Sequence, residues 1–144
     1  VLMLTKPILT ADHAEAIGKT CLKFAKGKNW EVCVAVCDDG GNLLWLQRDY
    51  TVPPISSTIA WHKARTSVLG RRPSKAYETV INEGRLAFLS VPDLKGLMEG
   101  GLPIFVHEYC IGGVGVSNLK ASDDALVAEQ GIRNFIGSIE NKNE

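Results

Sequence analysis

At 144 residues, with 45% hydrophobic and 22% charged residues, the chain has the size and composition of one globular domain spanning residues 1–144. Sixteen basic residues balance sixteen acidic ones, so the chain lacks the positive field that draws proteins to nucleic acid or anionic membranes. No apolar run approaches the ~18 residues of a membrane span, and Pro7 interrupts the apolar start too early for a signal-peptide core. We therefore expect no nucleic-acid or membrane partner.

All four cysteines, at positions 21, 33, 37 and 110, have apolar neighbours, and no two of them form a C-x-x-C pair. Cys33 and Cys37 share a predicted strand, which separates them by roughly 13 Å and excludes a disulfide between them. We expect buried, reduced thiols that pack as small hydrophobic side chains. Such cysteines are typical of a reducing compartment, so we expect a cytoplasmic protein.

The first part of the chain predicts a helix and a β-hairpin. A helix capped by Thr10 runs to about Lys26, because its apolar residues recur at helical spacing. The apolar run Val32–Cys37 predicts a strand that is covered on both faces. The turn sequence at 38–42 then returns the chain into a partner strand at Leu43–Arg48.

Helices are predicted in the middle of the chain. One of the three hydroxyl residues at 56–58 can cap a helix that ends near Gly70. Ser74 can cap a shorter helix that ends near Gly84, and a short helix or turn is expected at 85–90.

A second hairpin and a last helix complete the pattern. The strands are Leu102–Val106 and Cys110–Ser117, with His107–Tyr109 turning between them. Ser122 can cap the last helix, and a polar tail, expected to be frayed, covers 140–144.

The order of these elements indicates the fold class. Hairpins give antiparallel pairs, and strands that are apolar on both alternations need cover on both faces. We predict an α/β (α+β) protein, an α/β/α layered domain whose antiparallel sheet has four strands, or five if residues 3–8 add one.

Glycine is concentrated at two places in the second hairpin. Gly112, Gly113 and Gly115 lie within one strand, and Gly100-Gly101 precede the other. Such runs indicate that a helix, another subunit or a ligand approaches the backbone closely. We expect helix packing at the inner glycines, and we expect Gly100-Gly101 at the rim of any pocket.

An ordered series of segments resembles the GlcG/HbpS family, which also includes the C-terminal domain of PduO-type corrinoid adenosyltransferases. The segments are LTADHAEAIGKTCLKFA from Leu9, VCVAVCDDGGNLLWLQRDY from Val32, IAWHKARTS from Ile59, RRPSKAYE from Arg71, EGGLPI from Glu99 and IGGVGVSN from Ile111. The resemblance runs from about Leu9 to Ile136. It implies a profilin-like sheet flanked by helices, homo-oligomers (octamers or tetramers), and a link to glycolate or diol utilisation. Haem or a related tetrapyrrole is the ligand that it implies.

His13 is the histidine that the resemblance points to. Family members of the PduO C-terminal type ligate haem through a histidine near the start of the first helix, and His13 matches that position. A neutral imidazole is the form that binds haem iron or another metal. The alternative is a histidine at the helix edge that satisfies a backbone group.

Cationic residues in the middle of the chain could meet an anionic ligand. A predicted helix carries His62, Lys63 and Arg65, with Arg65 one turn after His62, and Arg71 and Arg72 follow it. These residues could bind haem propionates or a small carboxylate. The alternative is a solvated face that forms ion pairs within the chain or with a neighbouring subunit.

Glu99, Gly100 and Gly101 are the remaining candidate site residues. The glycine pair could present backbone N–H groups to an anion, and Glu99 could act as a base. The alternative is turn glycines beside an exposed acid. The dinucleotide, P-loop, nucleophile-elbow and zinc patterns are missing from the sequence, which points to no reaction.

Three functions follow as expectations. The first is an oligomeric accessory protein that binds a small molecule, haem or a related tetrapyrrole, in a pocket lined by His13 and the 100–118 region. The second is an assembly protein of a diol- or glycolate-utilising system without a ligand of its own. The third is an enzyme that acts on small hydroxy or carbonyl acids.

Overall fold

A computed structural model describes residues 1–142 and contains a four-stranded antiparallel sheet in the order β2-β1-β4-β3. The strands are β1 (Cys33–Asp38), β2 (Leu43–Arg48), β3 (Gly101–Val106) and β4 (Tyr109–Ser117). The helices are α1 (Ala11–Gly27), α2 (Ile55–Gly70), α3 (Lys75–Asn82) and α4 (Ala121–Lys142), with a 3-10 turn at Leu86–Ser90. The predicted antiparallel sheet with flanking helices is confirmed.

Helices cover both faces of the sheet. On one face, the valines of the two central strands, such as Val34 and Val114, join a core built with α1 and α4. On the other face, Ala35 packs with Ala60 of α2, and Cys37 joins a second α2 cluster. Alternate residues of one strand therefore contact different helical layers, which is why β1 is apolar throughout.

The second hairpin confirms helix packing at two of its three inner glycines, Gly113 and Gly115, whereas a Cβ atom at Gly112 would overlap the carbonyl oxygen of Cys37 on β1. A Cβ atom at Gly115 would overlap the carbonyl oxygen of Ala60 on α2. At Gly113 it would lie 2.5 Å from the Val68 side chain and 3.0 Å from the carbonyl oxygen of Ala64. Both values are below ordinary van der Waals contact, so α2 lies closer to β4 than a side chain would allow.

Among residues 1–142 the sheet has four strands and not five. Residues 3–8 form no helix or strand within the described chain, so the candidate fifth strand is absent there. Pro7 lacks the N–H that a strand would donate. At the other side of the sheet, Pro103 lies in edge strand β3, where a missing donor leaves no ladder bond unmade.

Several predicted helix starts need correction. Thr10 caps α1 as expected, since its hydroxyl accepts a hydrogen bond from the His13 N–H at 3.1 Å. The caps predicted for α2 and α4 are wrong, because α2 begins before Ser56 and Ser122 lies inside α4. Ser74 does occupy the N-cap position of α3, but its side chain makes no capping bond. The Ser74 hydroxyl instead accepts from a strand N–H, so a tertiary contact replaces the local one.

The β3–β4 turn is one residue shorter than predicted. His107 and Glu108 both have left-handed backbone angles, with φ of 48° and 70°. Two such residues form the hairpin turn that matches the twist of antiparallel strands. Tyr109 is therefore the first residue of β4.

The cysteines are buried as predicted, and none of them forms a disulfide within residues 1–142. Burial raises the pKa of Cys21 and of Cys37 to about 12. The thiolate is therefore strongly disfavoured at both positions.

The end of the chain differs from the predicted tail. Helix α4 continues through Glu140 to Lys142, and the rest of the predicted tail, residues 143–144, lies outside the described residues. None of the helices in the described part of the chain combines the length and apolar character needed to cross a membrane.

Candidate functional site

His13 lies in the first turn of α1, against the last part of α4. Its side chain is exposed, and its ring packs on the Phe135 ring with the centroids 5.2 Å apart. The backbone N–H of His13 is held by the Thr10 cap. Among residues 1–142, no side-chain or backbone group forms a hydrogen bond with the His13 imidazole. One aromatic contact therefore orients this ring and leaves its nitrogens accessible.

The first two predicted cations hold backbone segments together. Arg65 donates to the carbonyl oxygen of Asp93 at 2.7 Å, and its stem packs on Gly41. Arg71 donates to the carbonyl oxygen of Asp39 at 2.7 Å. These contacts fix the β1–β2 turn and the loop before β3 to α2.

The other predicted polar residues also have partners in the chain. The Arg72 guanidinium lies over the Tyr77 ring, 5.5 Å from its centroid. A carboxylate oxygen of Glu99 lies 3.7 Å from Lys75 Nζ, and the Glu99 backbone N–H donates to Glu78 Oε2 at 2.8 Å. Arg72 and Glu99 therefore lie at α3.

Gly100 and Gly101 are buried against α2. A Cβ atom at Gly101 would overlap the carbonyl oxygen of Lys63, and the Gly101 N–H donates to Ser74 Oγ at 2.9 Å. Gly100 has a left-handed φ of 131°, and its missing side chain leaves room for Lys63 Nζ. Within the described chain, this glycine pair packs against a helix.

One copy of the chain does not bring the predicted site residues together. His13 lies on the α1–α4 side of the sheet. On the other side, Arg65 belongs to α2, Arg71 is its C-terminal cap, and Gly100 and Gly101 pack against it. The sheet therefore separates His13, the candidate metal ligand, from the candidate anion-binding residues.

The sequence interpretation missed a buried ion pair. Lys63 Nζ lies 3.0 Å from Asp124 Oδ2, and the two side chains are 5% and 2% exposed. Lys63 also donates to the Val116 carbonyl oxygen at 3.0 Å, and Asp124 Oδ1 accepts from the Leu119 N–H at 3.0 Å. Because α2 and α4 lie on opposite faces, the pair joins the two helical layers past the end of β4.

Helical spacing offered a signal for this pair. Ala60, Lys63 and Ser67 recur at intervals of three and four residues, and all three are buried. A lysine in such a stripe needs a buried partner, because an unpaired charge is costly away from water. The sequence interpretation instead grouped Lys63 with His62 and Arg65, as cations for an anionic ligand or as part of a solvated face.

The pKa of Asp124 gives a testable pH dependence. Desolvation raises it from 3.8 to about 6, against the opposing effect of Lys63. A raised pKa means that the folded state holds the proton more tightly than the unfolded chain, so the contribution of Asp124 to stability increases as pH falls. We expect the free energy of unfolding of the unmodified chain, minus that of Asp124→Asn, to rise as the pH is lowered from 7 to 4. Urea unfolding at stepped pH measures this difference, and a fall would contradict the assignment.

A groove follows the seam between α1 and α4. Beside Phe135, a narrow cavity of about 50 Å³ has Thr20 and Asn134 in its wall. The same two residues line a wider, open cavity of about 680 Å³. The seam therefore extends from the aromatic contact of His13 to the far end of α1.

Comparisons with known proteins agree on the family. A family model described as haem degrading protein HbpS-like matches residues 9–133. Protein GlcG of Escherichia coli strain K12 is 48% identical over 115 residues, which cover 80% of this chain and 85% of GlcG.

Solved structures share the fold. Klebsiella pneumoniae protein ORFY superposes with a TM-score of 0.84 at 25% identity, covering 94% of this chain and 97% of that one. The PduOC:heme complex gives a TM-score of 0.79 at 21% identity, covering 88% and 94%.

Proposed function

This chain belongs to the HbpS-like family, and we propose that it is a homo-oligomeric haem-binding protein in which His13 supplies an axial ligand. The exposed His13 imidazole, without a hydrogen-bond partner among the described residues and packed on Phe135, carries this proposal. The family model is described by a haem-related function. Haem or a related tetrapyrrole is therefore the ligand class that we assign to the His13 imidazole.

The residues around His13 fit an imidazole ligand. Haem iron accepts a neutral imidazole nitrogen, and an orienting contact fixes the ring plane. The Thr10 cap holds the His13 backbone, and Phe135, which is 6% exposed, holds the ring. When bound, the iron would supply redox and ligand-exchange chemistry, and the chain would orient the iron and limit its access to water.

One copy offers little cover for a tetrapyrrole at this position. The cavity beside Phe135 measures about 50 Å³, well below the ~300–1,000 Å³ of ordinary ligand pockets. A macrocycle on His13 would therefore leave one face in water unless a second copy covered it. Large exposed side chains such as Leu4, Phe105 and Tyr109 supply apolar surface for such an assembly.

Haemin titration of single histidine variants tests the proposal. The chain has three histidines, which permits matched controls. We expect His13→Ala to lose the Soret band of the bound state, because it removes the axial nitrogen. His62→Gln should keep the band, since His62 lies on α2 and its Nδ1 is 2.9 Å from the Thr58 carbonyl oxygen. His107→Asn preserves the turn and should also keep it.

Three outcomes would each overturn a part of the proposal. A Soret band that is unchanged in His13→Ala would remove His13 as the ligand. No binding of haemin or cobalamin to the unmodified chain would favour an assembly role without a tetrapyrrole. Light scattering that gives a monomer both with and without haemin would contradict the homo-oligomer.

A further inference from the structure

We propose that the wider cavity of the α1–α4 seam binds the carboxylate side chains of the tetrapyrrole, with Lys23 and Arg133 as the cations. This inference rests on the proposed haem function and assigns a role that the sequence interpretation gave to Arg65, Arg71 and Arg72. Those three arginines instead contact the Asp93 carbonyl oxygen, the Asp39 carbonyl oxygen and the Tyr77 ring, respectively.

The lining of this cavity is basic. It has a volume of about 680 Å³ and carries Lys23, Lys28 and Arg133 with no carboxylate among its described lining residues. Its remaining polar side chains are the Thr20 hydroxyl and the amides of Gln130 and Asn134. A protein with zero formal net charge has here a local excess of positive charge, which suits an anionic ligand.

Both proposed cations, Lys23 and Arg133, are available to a ligand, and the Lys23 residue is exposed. Arg133 forms an ion pair with Glu129 at 2.8 Å, but their side chains are 72% and 43% exposed. Exposed pairs of this kind contribute little stability, so a ligand carboxylate can compete for the guanidinium. Lys28 is engaged differently, since its Nζ lies 5.8 Å from the centroid of the Phe24 ring.

The cavity is connected to His13 along the seam. Thr20 and Asn134 line both this cavity and the narrow one beside Phe135. At 1.5 Å per residue, Thr20 lies about 10 Å and Lys23 about 15 Å along α1 from His13. A flat ligand whose iron is bound by His13 would extend along the seam with its acidic edge toward Lys23.

Gly27 supplies a steric test at the same place. It ends α1, lines the cavity, and has no atom within 4 Å of a Cβ built on it. A side chain can therefore be added without displacing the protein. Gly137 on α4 is equally open but does not line the cavity, which makes it a matched control.

Haemin titrations of two groove variants test this inference. Lys23→Gln/Arg133→Gln removes both cations, and Gly27→Glu adds a negative charge among them. We expect each to weaken haemin binding by roughly tenfold, because a ligand carboxylate loses one or two charge-assisted contacts. The control variants are Lys26→Gln/Lys120→Gln, which remove two positive charges outside the cavity, and Gly137→Glu. Both should bind haemin as the unmodified chain does.

Haemin dimethyl ester is the second probe, because it keeps the macrocycle and iron but lacks the carboxylates. We expect the groove variants and the unmodified chain to bind the ester equally. Equal haemin affinity in groove and control variants, with a Soret band that still depends on His13, would overturn the groove assignment alone. Loss of the His13 dependence would instead overturn the proposed function.

Discussion

Replacing Lys63 by Met is expected to destabilise the fold by about 3–5 kcal/mol, because it leaves Asp124 buried without its cation. Removing both charges in Lys63→Met/Asp124→Leu should recover most of this loss, since no isolated charge stays behind. A double-mutant cycle measured by urea unfolding at pH 7 gives the coupling energy directly. The penalty of the single variant should shrink at pH 5, where Asp124 is more readily protonated.

The exposed pair of Lys75 and Glu99 provides the control. The Lys75 side chain is 63% exposed and its Nζ lies 3.7 Å from the carboxylate, so Lys75→Met should cost less than about 1 kcal/mol. If Lys63→Met/Asp124→Leu were as unstable as Lys63→Met alone, the Lys63–Asp124 ion pair would not be the source of the effect. A Lys63→Met variant that does not fold leaves the double variant as the decisive measurement.

Adding one methyl group at Gly115 should also be strongly destabilising. The Cβ of Gly115→Ala would lie 2.6 Å from the Ala64 backbone nitrogen and would overlap the carbonyl oxygen of Ala60. Backbone atoms cannot rotate away as a side chain does, so α2 must move off the sheet. We expect a loss of roughly 3 kcal/mol, at the upper end for overpacked cores, in chemical unfolding.

Gly137→Ala is the matched control for this substitution. Gly137 lies inside α4 with no atom within 4 Å of an added Cβ, so the methyl group meets no neighbour. Alanine in a helix interior is about 1 kcal/mol more favourable than glycine, and this variant should gain stability. Similar losses in both variants would contradict the close approach of α2 to β4.

The layered fold could be predicted because each strand carries its burial pattern in the sequence. Val32–Cys37 is apolar on both alternations, and the turn at 38–42 consists of aspartate, glycine and asparagine residues. Helix starts were harder to predict. Ser74 is a typical capping residue and stands at the N-cap position of α3. Its hydroxyl, however, accepts a hydrogen bond from the Gly101 N–H, a partner 27 residues away.

The candidate site was predictable only in part. The position of His13 near a capped helix start follows from the local sequence. Its contact with Phe135 joins the first and the last helix, which are far apart in the sequence. Lys63 and Asp124 are 61 residues apart, and nothing in either local pattern names the other. Arg65 and Arg71 bind carbonyl oxygens, which every residue carries, so the sequence could not indicate their partners.

The buried thiols give each helical layer an internal chemical reporter. Cys21 lies between α1 and α4, where its sulfur faces Gly131, while Cys37 lies under α2. With pKa values near 12 and no exposure, neither thiol meets an alkylating reagent until its own layer separates from the sheet. Labelling at Cys21 and at Cys37 therefore distinguishes opening of the α1–α4 layer, which carries His13, from opening of the α2 layer.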